Sequence, residues 1–262
     1  MRESDRDKVI SYLERINYHG ALTPAAPTLR QLQLAHLYTV PFENLSIHWG
    51  EAIVLDDAAL YEKVVERRRG GFCYELNGLF AWLLRALGFD VTRLAANVAN
   101  DNRHYSPDFD HMALLVNLEH PWLVDVGFGD TFREPLRLDI RTEQQQQGGS
   151  YRIRLNNAYY VLEEKKPGQD WEKAYRFTLQ GYAYSDFQSR CRFHETSPES
   201  HFKRRRICSR ATPAGRITLS DKTLITSSLY GQREEQEAQD DGQYRQLLKQ
   251  YFGISAVHLR YF

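Results

Sequence analysis

The chain has 262 residues, 42% of them hydrophobic, enough to bury more than one core and to exclude disorder as the default. Its 34 basic and 34 acidic side chains cancel, so no global field draws it to nucleic acid or to an anionic membrane, and any recognition of charge is local. The mixed-charge start, Met1 to Lys8, precedes no apolar stretch of a secretory signal, no apolar run is long enough to span a bilayer, and three cysteines without an export signal predict free thiols in a reducing cytoplasm.

Val9, Ile10, Leu13 and Ile16 recur at helical spacing and predict a first helix, and Thr28 is placed to cap a second through Leu29, Leu32 and His36. Pro41 predicts a helix boundary, and Asp56 or Asp57 is placed to cap a third helix through Leu60 and Val64. The plainest element follows Gly70-Gly71. There Leu76, Leu79, Phe80, Leu83, Leu84 and Leu87 line a helix, Gly88 is placed to stop it, and Cys73 sits in its opening turn. From Asp90 the pattern changes to short β-type runs, among them 112–118, 122–126, 151–155, 159–162 and 175–179. Residues 143–150, with four glutamines and two glycines, read as a polar loop between strands. Near the end, 216–219 reads as a strand, 234–242 as an acidic loop or frayed helix start, and 244–252 as a short helix. Helices followed by clustered strands predict an α+β fold.

A protonated thiol is a poor nucleophile, with an unperturbed pKa of about 8.5; the start of a helix favours the thiolate through its free N–H groups and partial positive charge. On local sequence alone Cys73 is either a nucleophile or a buried structural thiol, and the second is the commoner case. Among nine histidines, His111 opens the apolar run Met112 to Val116, where a rigid strand can hold an imidazole still. Asp125 lies in the apolar run Trp122 to Gly129. Such a carboxylate is either paired with the His111 ring, fixing its tautomer, or an edge residue facing water. A tight hairpin at Glu119-His120-Pro121 would set the two about four residues out of register, roughly 13 Å along the strand, so a longer connection or a different strand arrangement is expected. Cys191, His194, His201 and Cys208 are a weak zinc candidate whose spacing matches no common finger. The basic runs Arg67 to Arg69 and Lys203 to Arg206 read as solvated faces before nucleic-acid surfaces.

In chain order stand Val40-Pro41-Phe42-Glu43-Asn44, Arg69-Gly70-Gly71-Phe72-Cys73, His111, Val124-Asp125-Val126-Gly127-Phe128-Gly129, and Ser197-Pro198 with Phe202. Together, over nearly the whole chain, they resemble the arylamine N-acetyltransferases, with Leu76 and Phe72 standing where that family often has Gln and Tyr. The resemblance implies three units: a helical domain over 1–88 carrying the nucleophile, a β-barrel-like domain over 89–195 carrying His and Asp, and a connecting segment with an α/β lid over 196–262. It implies a catalytic triad of Cys73, His111 and Asp125, set much as in cysteine proteases, and a double-displacement reaction. Acetyl-CoA would be the co-substrate, with no permanently bound cofactor and no metal. The acceptor would be a small-molecule arylamine or arylhydrazine, or the oxygen of an N-hydroxyarylamine, as in xenobiotic metabolism. Phe42, Phe128, Gly129 and Phe202 are then candidates for the substrate and CoA pocket, and Lys203 to Arg206 for holding the CoA phosphates. A cysteine hydrolase or transglutaminase-like enzyme is the alternative, since it uses the same three groups.

Overall fold

A computed structural model describes residues 3–100 and 104–255. The chain opens with α1 (Glu3–Arg15), α2 (Ala26–Thr39), β1 (Phe42–Glu43), α3 (Leu45–Trp49), α4 (Asp57–Tyr61) and α5 (Cys73–Ala86). Strands follow: β2 (Asp90–Asn100), β3 (His104–Tyr105), β4 (His111–Asn117), β5 (Pro121–Val124), β6 (Leu136–Arg137), β7 (Gln144–Gln146), β8 (Gly149–Asn156), β9 (Tyr159–Lys165) and β10 (Glu172–Gly181). After α6 (Gln188–Thr196) and α7 (His201–Arg204) come β11 (Ile207–Thr212), β12 (Gly215–Ser220), β13 (Thr223–Ser228), β14 (Arg233–Glu237) and α8 (Asp241–Phe252).

Local chemistry explains the helix starts, and it corrects some of the expected ones. In α1 the buried face is Val9, Tyr12 and Leu13, continued by Ile16 just past its end at spacings of three and four, while Ile10 is exposed. Pro27 in the first turn of α2 fixes the helical φ, so the helix begins at Ala26 and Thr28 lies inside it, not at its cap. Asp56, not Asp57, caps α4, its carboxylate accepting the N–H groups of Ala58 and Ala59. Asp240 caps α8 in the same way, and the first half of the acidic stretch 234–242 is the edge strand β14.

Three hydrophobic cores result. The first packs α1, α2, α4 and α5 and takes in Cys191 of α6; the second fills the large sheet with Leu115, Leu123, Phe132, Ile153, Leu162, Tyr175 and Phe177; the third lies between the second sheet and α8. Strand β4 serves two of them. Met112, Leu114 and Val116 face the helices while Ala113 and Leu115 face the barrel interior, which is why its sequence is apolar without alternation.

The large sheet runs β6-β5-β4-β2-β10-β9-β8-β7, with β3 on β2, and the smaller one runs β1-β11-β12-β13-β14. Residues 143–150, expected as a loop, are instead the strand β7 and the turn into β8, with Gly148 at φ +89°. Their glutamines join the two ends of the large sheet. Gln144 Oε1 accepts the Arg137 N–H at 2.9 Å and its Nε2 donates to the Arg137 carbonyl at 2.9 Å. Gln146 Oε1 accepts from the N–H groups of Arg133 and Glu134, and its Nε2 donates to the Glu134 carbonyl at 2.7 Å. Side-chain amides thus stand in for a ladder between β6 and β7, and the sheet is barrel-like and nearly closed.

Candidate active site

The segment before α5 is pressed against the loop after α2. A Cβ on Gly70 would fall 1.9 Å from the Pro41 carbonyl oxygen, so no other residue fits there. Glu43 N–H donates to the Gly71 carbonyl at 2.8 Å. Beneath this contact Arg69 pairs with Glu43 at 2.8 Å and with Glu51 at 3.2 Å, and its guanidinium lies over Trp49. Lys63 reaches Glu75 at 2.6 Å, and Glu75 also accepts the Phe72 N–H at 3.1 Å. These buried pairs satisfy one another and hold the first turn of α5 in place.

Cys73 is the first residue of α5 and is 3% exposed. Burial pushes its thiol well above the ordinary value and the nearby Asp125 charge adds to this, while a hydrogen bond from the Met112 N–H works the other way. Desolvation at this position therefore works against the help that the helix start gives the thiolate. Ionisation requires a base to take the proton inside the site.

His111 Nε2 lies 2.7 Å from Asp125 Oδ2, both side chains buried. The β4–β5 hairpin is tight, with Asn117 opposite Pro121 and Leu114 opposite Val124. Extended by one pair, that register puts Asp125 beside Ala113, two residues from His111 and not four, because the turn centres on Glu119. Diagonal neighbours on one sheet face are roughly 7–8 Å apart between backbones, a gap that an imidazole and a carboxylate close together.

Asp125 has three further donors: Asn77 Nδ2 at 2.8 Å, the Gly127 N–H at 2.8 Å and the Tyr175 hydroxyl at 3.1 Å. Burial alone would raise its pKa, but His111, Asn77 and Gly127 hold it below the ordinary carboxylate range. Gly127 is a steric requirement, since a Cβ there would lie 2.7 Å from Cys73 Cα. Two residues before His111, Phe109 is held at φ +63°, a costly backbone region for an aromatic residue. Its carbonyl accepts the Tyr74 hydroxyl at 2.8 Å, and Asn97 ties Asp108 at 2.9 Å.

A cavity of about 1300 Å³ is lined by Cys73 and His111 together with Phe42, Phe128, Gly129 and Phe202; Asp125 sits behind the imidazole. The Phe42 and Phe202 rings are 6.0 Å apart, and Phe128 meets the His111 ring edge-on at 5.1 Å. Arg204 and Arg205 also line the cavity, whereas Arg206 turns over the Tyr244 ring. Cys191 belongs to the first core and Cys208 to the third, and among the described residues no group of side chains is placed to hold a metal ion.

A family model described as N-acetyltransferase matches residues 26–259. The arylamine N-acetyltransferase / N-hydroxyarylamine O-acetyltransferase of Salmonella typhimurium is 34% identical over 96% of this chain and 90% of its own. The solved structure of the arylamine N-acetyltransferase from Salmonella typhimurium matches with a TM-score of 0.89 at 34% identity, covering 94% of this chain and 91% of that one. The chain belongs to the arylamine N-acetyltransferase family. The Mycobacterium marinum arylamine N-acetyltransferase solved in complex with CoA is a further match, with a TM-score of 0.86 at 34% identity over 94% of this chain and 92% of that one.

Reading this family member from sequence missed two residues that shape its site. Asn77 lies one turn after Cys73 on the same helix face; besides Asp125 it contacts the Met112 carbonyl at 2.6 Å and accepts the Val126 N–H at 2.9 Å. A single fully buried amide on an apolar helix was the available signal. Tyr175, reached from β10, left none.

Proposed function

We infer that the protein transfers an acetyl group from acetyl-CoA, by way of a thioester on Cys73, to the nitrogen of arylamines or arylhydrazines. The observation that carries this reading is the buried His111–Asp125 pair at 2.7 Å, its imidazole lining one cavity with the thiol of the first residue of α5. Because Asp125 occupies Nε2, Nδ1 is the nitrogen left to take the Cys73 proton. The thiolate attacks the thioester carbonyl, the tetrahedral oxyanion collapses, and CoA leaves with the proton returned by the imidazolium. The amine then attacks the acetyl-cysteine, His111 takes its proton, and Cys73 is regenerated. Asp125 stays ionised throughout and orients the ring. The Cys73 backbone N–H is a candidate donor to the oxyanion.

Burial of the thiol supports transfer over hydrolysis, since an acetyl-enzyme out of contact with water waits for an amine. Phe42, Phe128 and Phe202 supply aromatic walls suited to an aryl acceptor, and Arg204 and Arg205 supply charge for the CoA phosphates. The names of the relatives support arylamine nitrogen, and in one case the oxygen of N-hydroxyarylamines, as acceptor. Three free cysteines suit a cytoplasmic enzyme, and processing of foreign aromatic amines is the role such acceptors imply. Brief exposure to acetyl-CoA without amine should add one acetyl group to Cys73 by mass spectrometry, and none to Cys73→Ala. Steady CoA release without any acceptor would instead identify a hydrolase.

A further inference from the structure

Beside the thiol lies a second imidazole–carboxylate pair that the acyl-transfer reading leaves unused. Asp110, the residue before His111, accepts through Oδ1 from Arg190 Nε at 2.6 Å and from His194 Nε2 at 3.0 Å. Burial would raise this carboxyl, yet His194 and Arg190 hold it at about 2. An ionised carboxylate only accepts, so His194 Nε2 donates to Asp110. Ser200 Oγ lies 3.0 Å from Nδ1 of the same ring, and Oγ in turn accepts the Phe202 N–H at 3.2 Å. His194 and Ser200 are each 2% exposed.

This chain of bonds has two ends in the active site. One is the residue bonded to His111. The other is α7, a turn of four residues with no fully buried residue of its own, held by hydrogen bonds and by the packing of the Phe202 ring. The Phe202 carbonyl accepts from Asn44 Nδ2 at 2.8 Å and from His48 Nε2 at 3.0 Å, and its ring meets His194 at 5.1 Å and Phe72 at 5.6 Å. The Ser200–His194–Asp110 path runs from this turn to the residue just before the strand that carries the base.

We propose that His194 is a positioning residue for acceptor specificity: through Ser200 it fixes the turn bearing Phe202, and through Asp110 it ties that turn to His111, so that aromatic wall and base keep a set spacing. The inference rests on the reading that Cys73 carries the acetyl group and that Phe202 walls the acceptor pocket.

The test compares aniline with hydrazine, which has no ring to seat, using His194→Phe, a ring without either hydrogen bond, and Asp110→Leu, which keeps the shape of the original but accepts no hydrogen bond. Both variants should still form the Cys73 acetyl adduct. The KM for aniline should rise about tenfold with kcat within about twofold, while the KM for hydrazine stays near wild type. His194→Gln, which keeps a donor toward Asp110, should fall between. In a Phe202→Leu background the His194→Phe change should add little. A destabilised but correctly built site would lower the active fraction for both acceptors equally and leave the KM ratio alone. That result, or independent effects in the double variant, overturns the proposal. Should His194→Phe fail to fold, Asp110→Leu decides by the same ratio. Absence of an acetyl adduct in the wild type would refute the acyl-transfer reading itself, separately from the role of His194.

Discussion

Asp125 is 1% exposed and would be driven to its neutral form if it stood alone, yet it is ringed by an imidazole, an amide, a backbone N–H and a phenol. Those donors favour the charged form, so the group works as a fixed anion. Asp125→Asn preserves volume but cannot support the same imidazole tautomer, and kcat/KM for an arylamine should fall by about 10³–10⁴-fold in steady-state assays. Tyr175→Phe removes only one of the donors and should cost much less, about tenfold or under by the same assay. Because the folded pKa of Asp125 is depressed, its contribution to stability is present above the ordinary carboxylate range and is lost as pH falls through that lower value. The three side chains proposed to react were open to sequence reading because each breaks its local pattern: a thiol at a helix start, an imidazole at a strand start, an acid among apolar residues. Their supports were not, since Asn77 and Tyr175 reach Asp125 across 48 and 50 residues of chain.

Elements read well where apolar residues run together. Helix α5 and strand β4 are buried on nearly every side and stand out as apolar stretches, whereas β2, with buried and half-buried residues mixed, has no clean pattern to read. Register was misjudged at the β4–β5 turn because a shift of one residue in the turn centre moves the paired positions by two. The strand β7 was misread for another reason. Its stabilisation comes from its side chains, not from an apolar face, and low complexity hid a specific structure. Gln144→Ala and Gln146→Ala each remove two or more hydrogen bonds across the seam, and each should lower unfolding free energy by roughly 1–3 kcal/mol, read as a shift in urea midpoint at constant slope.

At the scale of the whole molecule, the helical core supplies Phe42 and Cys73 to the cavity and also carries an acid-sensitive group. His36 is fully buried, with Nε2 3.1 Å from the Tyr12 hydroxyl, and burial, reinforced by Arg15, pushes its pKa down to about 3. The unfolded chain takes up this proton below pH 6.5 while the folded one does not, so stability is full above 6.5 and declines as pH falls toward 3. The loss should reach a few kcal/mol, on the order given by the shift, and His36→Leu should flatten the urea midpoint between pH 7 and pH 4.5. The seam of the barrel carries a different consequence. Homopolymeric runs drift in length between generations, and most surface runs absorb the change. Counted back from the Gly148 turn, one extra glutamine would leave amides at both seam positions, but losing one would bring Glu143 to the place of Gln144, and a carboxylate has no hydrogen to give the Arg137 carbonyl. This tract is free to grow and not to shrink.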